Sequence, residues 1–168
     1  MKRILLGLFT LVAIATTTNV FAQQPPASPA SSASGKIGNA TITINYGSPS
    51  VKGRAIWGEL VPYGKVWRTG ANKATTFETD ADITVEGQPL KKGKYGLFTI
   101  PEQNEWTIVF NKTADQWGSF NYKQEDDVLR VKVKPSAGKE LVESLKFEVG
   151  KNNVTMKWEK LSVSFGVK

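Results

Sequence analysis

Val154 to Val167 reads VTMKWEKLSVSFGV, and the spacing of its apolar residues decides the fold class. Val154, Met156 and Trp158 fall on even positions, whereas Leu161, Val163, Phe165 and Val167 fall on odd ones. Side chains alternate between faces along a strand, so each run reads as the buried face of an extended chain. The slip between them calls for a turn or a bulge at Glu159-Lys160, because one extra residue moves every later side chain to the other face.

The same period of two recurs upstream. In ATITINY, residues 40–46, Ile42, Ile44 and Tyr46 share one face and Thr41, Thr43 and Asn45 the other. ATTFET (74–79), DITV (82–85), YGLFTI (95–100), WTIVFN (106–111) and VLRVKV (128–133) are further strand candidates. YGLFTI stops at Pro101 and pairs with WTIVFN through the turn at 101–105, while Glu86-Gly87 and the stretch 91–93 are turn signals. Leu141 to Val149 alternates as a strand, with a helical turn over 139–145 as the alternative. No segment carries a long helical period. Short strands at close spacing predict an all-β fold, a single antiparallel β-sandwich or jelly-roll-like domain over residues 36–168.

The N-terminus has a different character. Met1-Lys2-Arg3, an apolar run from Ile4 to about Ala15, and Val20-Phe21-Ala22 together have the form of a secretory signal peptide cut after Ala22. The run is short for a spanning helix, which needs roughly 20 apolar residues. Left uncut, the segment would act as a membrane anchor. No cysteine lies near the cleavage site, so lipid attachment there is excluded. Residues 23–35, QQPPASPASSASG, have no charge and no large apolar side chain, and read as a flexible Pro/Ser/Ala linker. The expected location is the periplasm or the extracellular space.

Composition removes several function classes. Of 168 residues, none is histidine and none is cysteine. That rules out disulfides, Ser-His-Asp and Cys-His catalysis, thiolate nucleophiles and imidazole metal ligands. The net charge is +7, and loss of Lys2 and Arg3 with the signal would leave +5. No long basic run accompanies it, so nucleic acid is not an expected partner. No cofactor and no metal site is expected. The pair Asp80 and Asp82 and the acids of QEDD (124–127) lack the spacing of a calcium loop and read as solvated turn acids.

The candidate site lies in GELVPYGKVWRTGANKATTF, residues 58–77, which has no acid from Leu60 onward. Tyr63 and Trp67 offer aromatic faces for the apolar side of a sugar ring. Arg68 offers a planar fork for an anion, Asn72 an amide, and Lys65 a further cation. Arg54, closing the turn-like YGSPSVKGR (46–54), adds another cation to the set. The competing reading buries the Trp67 ring in the sandwich and pairs Arg68 with an acid from another strand. Both can hold at once, with Trp67 half in the core and half the floor of a site, and with Arg68 and Asn72 turned outward. Of the five tryptophans, Trp106 and Trp158 sit on strand patterns, while Trp57 and Trp117 lie in loops beside glycine and suit a contact surface.

YGSPSVKGR (46–54), IWG (56–58), LVPYGKVWRTGAN (60–72), ATTF (74–77), GKYGLFTIP (93–101), EWTIVFNK (105–112) and DDVLRVKVKP (126–135) closely resemble domain-of-unknown-function family 2911, a family of secreted bacterial proteins. The resemblance covers about Lys36 to Lys168. Where many members read GANEATTF, this chain has Lys73. The resemblance implies export and one compact domain, with no catalytic set to carry over.

The expected function is a non-catalytic binding module for a glycan or a small anionic ligand. The alternative is an envelope hydrolase working through carboxylates without His or Cys, for which Glu59, Asp126 and Asp127 are the residues to test. A structural or interaction protein with no small ligand is the third reading.

Overall fold

The computed structural model describes residues 27–168. The expected signal segment and the first residues of the expected linker lie outside them. Two layers of antiparallel strands enclose one core. The first layer contains β1 (Ala30–Ile37), β2 (Ala40–Gly47), β3 (Thr75–Thr79), β6 (Gly93–Ile100), β7 (Trp106–Asn111) and β8 (Asp127–Val133), hydrogen-bonded in that order. The second is built on a long hairpin of β9 (Ser136–Val149) and β10 (Asn153–Gly166). A small hairpin of β4 (Ile83–Val85) and β5 (Gln88–Leu90) extends it, since Thr84 and Lys168 exchange backbone hydrogen bonds at 2.7 and 3.0 Å. On the far side, Val51 N–H donates to Glu143 O and Leu145 N–H to Pro49 O, so residues 49–51 border β9.

The slip in VTMKWEKLSVSFGV is a bulge within one strand. β10 runs unbroken through it, with pairing shifts on both sides of Glu159 and a left-handed backbone there (φ 55°). Val154, Met156 and Trp158 before the bulge, and Val163, Phe165 and Val167 after it, are all buried. The bulge therefore keeps both runs facing the same core. Phe165 meets Phe110 and Phe77 of the first layer at 5.9 and 6.2 Å between ring centroids. Segment 139–145 lies within strand β9, so the helical alternative does not form.

β1 corrects the expected linker boundary. It takes up ASSASGKI, so the folded part begins well before Lys36. Low apolar content argues against burial when a segment is considered alone. In the fold, the Gly38-Asn39 turn returns the chain as β2, and small side chains let β1 lie close to β9. A Cβ at Gly35 would stand 2.9 Å from Val149 Cγ1, closer than carbon atoms pack.

The chain from β2 to β3 crosses the core. Four of the five tryptophans gather there: Trp57, Trp67, Trp106 and Trp158. Trp67 stacks on Trp158 (5.8 Å, 18°), lies edge-on to Trp57 and Trp106, and donates from Nε1 to Gly70 O at 3.2 Å. Full burial of rings this size contributes about 1.5–3 kcal/mol each, or more.

Candidate functional site

The outer face of the six-stranded layer divides into a covered and an open half. Over β6 and β7, the outward Phe98 and Val109 are buried with Ala74, and Val66, Ile100 and Tyr122 pack on them. The cover is the loop from Lys112 to Asp126. It crosses the sheet at Gly96, where a Cβ would sit 2.9 Å from Thr113 O. Any larger residue would push the loop off.

A partly buried polar staple holds the two ends of this loop. Asp127 accepts hydrogen bonds from Asn111 Nδ2 (2.8 Å), Tyr122 Oη (2.5 Å) and Arg130 Nε (2.7 Å). Arg130 also donates to Tyr122 Oη at 2.6 Å. Burial first, and then the bond to Asp127, push the Tyr122 phenol up to about 12. Beside it, Asp126 pairs with Lys112 at 3.0 Å and accepts from Thr113 Oγ1. The Lys112 bond holds its carboxyl below the usual range.

Over β1, β2 and β3 the face is open and forms a groove of about 590 Å³. Cross-strand register aligns Ser32, Asn45 and Thr76 in one row, ending at Gly96 beneath the loop. Lys94 on β6 flanks the row, with Glu78 as its cross-strand partner. Asn72, Lys73 and Asp115 form the wall on the loop side. Lys73 and Asp115 face each other at 3.8 Å with both side chains largely exposed, a pairing worth little in water. The Thr76 hydroxyl oxygen is buried beneath the groove surface and finds no hydrogen-bond partner among the described residues.

The wall is a short two-stranded ladder. Ala74 N–H donates to Gln116 O at 2.9 Å, and Gly118 N–H donates to Asn72 O at 3.1 Å. These bonds flank Lys73 and Trp117, which are paired residues. Trp117 is 61% exposed and Phe120 88% exposed.

The six residues expected to bind ligand do not converge. Trp67 is a correction: at 9% exposure, with other indoles around it, the ring leaves no face for a sugar and belongs to the core alone. Arg54 donates to Val51 O and Ser50 O of its own turn, on the border of the second layer. Tyr63 and Lys65 flank Gly64, whose N–H donates to Pro101 O, away from the groove. Arg68 is half-buried; desolvation lowers its guanidinium from the ordinary arginine value, and its Nε has no partner among the described residues. The expected acid partner for Arg68 is absent among the described residues, and its side chain does not line the groove. Asn72 does line it, in a left-handed conformation (φ 63°), with its amide donating to Ser28 O at 3.1 Å.

The groove residues Asn45, Lys73, Thr76, Lys94 and Asp115 were not anticipated as a set. Asn45 and Thr76 are legible as outward positions, but only strand order brings them together.

The acids are largely committed to structure. Asp80 accepts from Thr41 N–H, and Asp82 from Lys91 and the Lys92 N–H, so both carboxyls are held below the usual range. Among the described residues, no group of three or more His, Cys, Asp or Glu is placed to hold a metal ion. Among them, too, no helix is long and apolar enough to cross a membrane.

Residues 28–167 match the family described as protein of unknown function, DUF2911. The chain belongs to this family. The matched region starts at the edge of β1, in keeping with a domain that includes this strand. No curated protein and no solved structure matches the chain.

Proposed function

We propose that this DUF2911 chain is an exported, non-catalytic binding module whose open groove takes a glycan. The observation that carries the reading is the groove itself, a broad depression whose floor presents the Ser32 hydroxyl and the Asn45 amide beside Thr76. Strands stand about 4.8 Å apart, so the row from β1 to β3 spans about 10 Å, room for more than one sugar ring. Its volume is in the range of small-molecule sites, about 300–1,000 Å³. Amides and hydroxyls both donate and accept, which matches a polyhydroxylated ligand. Lys73 and Lys94 are balanced by Asp115 and Glu78, which favours a glycan over a compact anion. The non-catalytic part rests on the acids: Asp126 and Asp127 are occupied in the loop staple, and neither lines the groove.

The test is isothermal titration with cellohexaose, mannohexaose, chitohexaose and hexagalacturonate, using wild type, Asn45→Ala and Lys94→Ala. Each substitution removes one or two hydrogen bonds of about 1 kcal/mol, so affinity for the bound oligosaccharide should fall about five- to thirtyfold. Binding by neither wild type nor variants, or equal binding by all three, would overturn the reading.

A further inference from the structure

The groove accounts for the polar floor but not for an exposed indole on its rim. Trp117 leaves 61% of its surface in water while four other tryptophans pack together inside. A ring of that size in water is a candidate for contact.

Its direction follows from backbone geometry. Bonds from Ala74 to Gln116 and from Gly118 to Asn72 flank the Lys73–Trp117 pair, and Lys73 and Trp117 exchange none between themselves. This is the non-hydrogen-bonded pair of an antiparallel ladder, in which the Cα atoms are about 4.5 Å apart and side chains share one face. Lys73 lines the groove. The indole therefore stands beside a groove-lining side chain, at the loop edge of the open half-face.

We propose that Trp117 is the aromatic platform of this groove, on which one sugar ring of a bound oligosaccharide stacks. This rests on the glycan reading given above. The apolar C–H face of a pyranose lies on the indole, and its hydroxyls reach the Lys73 ammonium and the Asn72 and Asn45 amides. Next along, a second ring lies over Thr76 and Ser32. The ladder makes the platform rigid: Trp117 sits between two backbone hydrogen bonds, with the buried Gln116 on one side and Gly118 on the other.

Phe120, at 88% exposure, raises the rival idea of an apolar tip for a membrane or a protein. Its ring lies back against Gly118, where a Cβ would be 3.0 Å from the ring. Trp117 is paired instead with Lys73, a cation of the groove that faces Asp115. That arrangement favours the sugar.

The experiment is acrylamide quenching of tryptophan fluorescence in the full domain, with the same four hexasaccharides and with vesicles of phosphatidylglycerol. Trp117 is the most exposed of the five tryptophans, so it dominates the quenchable signal. The expected result is that a hexasaccharide shields this signal in the wild type. Trp117→Ala then binds that sugar about tenfold or more weakly, and Trp117→Phe retains most of the affinity. A hexasaccharide that binds without shielding, and binds Trp117→Ala equally well, overturns the platform and leaves the groove reading standing. No binding of any hexasaccharide by the wild type overturns both. Shielding by vesicles alone overturns the sugar in favour of a membrane contact.

Discussion

Replacing Asp127 separates a structural carboxylate from a catalytic one. Its side chain is 6% exposed and accepts from Asn111, Tyr122 and Arg130. In Asp127→Ala, the Asn111 amide keeps Lys123 O and Arg130 keeps Tyr122 Oη, so the donors are not wholly orphaned. Breaking a fully buried ion pair costs about 3–5 kcal/mol. Arg130 is about one third exposed, so water replaces part of what it loses, and the expected cost falls to about 2–3 kcal/mol. Asp127→Asn preserves volume but presents one acceptor where three donors converge, and should cost about 1–2 kcal/mol. Urea unfolding followed by fluorescence is the assay. The midpoint should fall with the slope unchanged, because the surface exposed on unfolding hardly alters. A loss below about 0.5 kcal/mol in Asp127→Ala would refute the staple. If Asp127→Asn also abolished turnover of a glycan, the hydrolase reading would replace the binding one.

Other residues offer sharper contrasts. Trp67→Ala should destabilise the domain by about 3–5 kcal/mol in the same assay, whereas Trp117→Ala should stay within about 0.5 kcal/mol, because only the first ring fills the core. At Glu159 the left-handed backbone suits glycine, so Glu159→Gly should be neutral or stabilising by up to about 1 kcal/mol, and Glu159→Val should be destabilising by at least that much. Alkaline titration followed by tyrosinate absorbance should show one phenol ionising at about 12, absent in Tyr122→Phe. That pKa is raised on folding, so its contribution is complete below pH 10, the ordinary tyrosine value, and is lost as pH rises from there through about 12.

Strands and core were legible because they depend on alternation, which a sequence displays directly. The parity slip at Glu159 located the bulge, and the apolar faces of ATITINY, WTIVFN and VLRVKV are the faces that the core buries. β1 was not legible, since a Ser/Ala segment buries little by itself and takes its place from the small side chains that let it approach β9. The candidate site was harder still. Asn45, Thr76 and Lys94 lie on three strands, and only their register makes one surface of them. The stretch 58–77 drew notice for its missing acids, but its tryptophan belongs to the core and its cations scatter. Trp117, read as a loop tryptophan suited to contact, is exposed because the loop end that carries it pairs with Lys73 and turns its ring outward from the covered half-face.

Amide-shift mapping by NMR tests the groove most directly. The domain is titrated with whichever hexasaccharide it binds, and backbone and side-chain amide shifts are followed residue by residue. The glycan reading predicts that the largest changes fall on Ser32, Asn45, Asn72, Lys73, Thr76 and Lys94, together with the Trp117 indole N–H. Changes centred on Arg54, Tyr63, Lys65 and Arg68, with the groove silent, would contradict it.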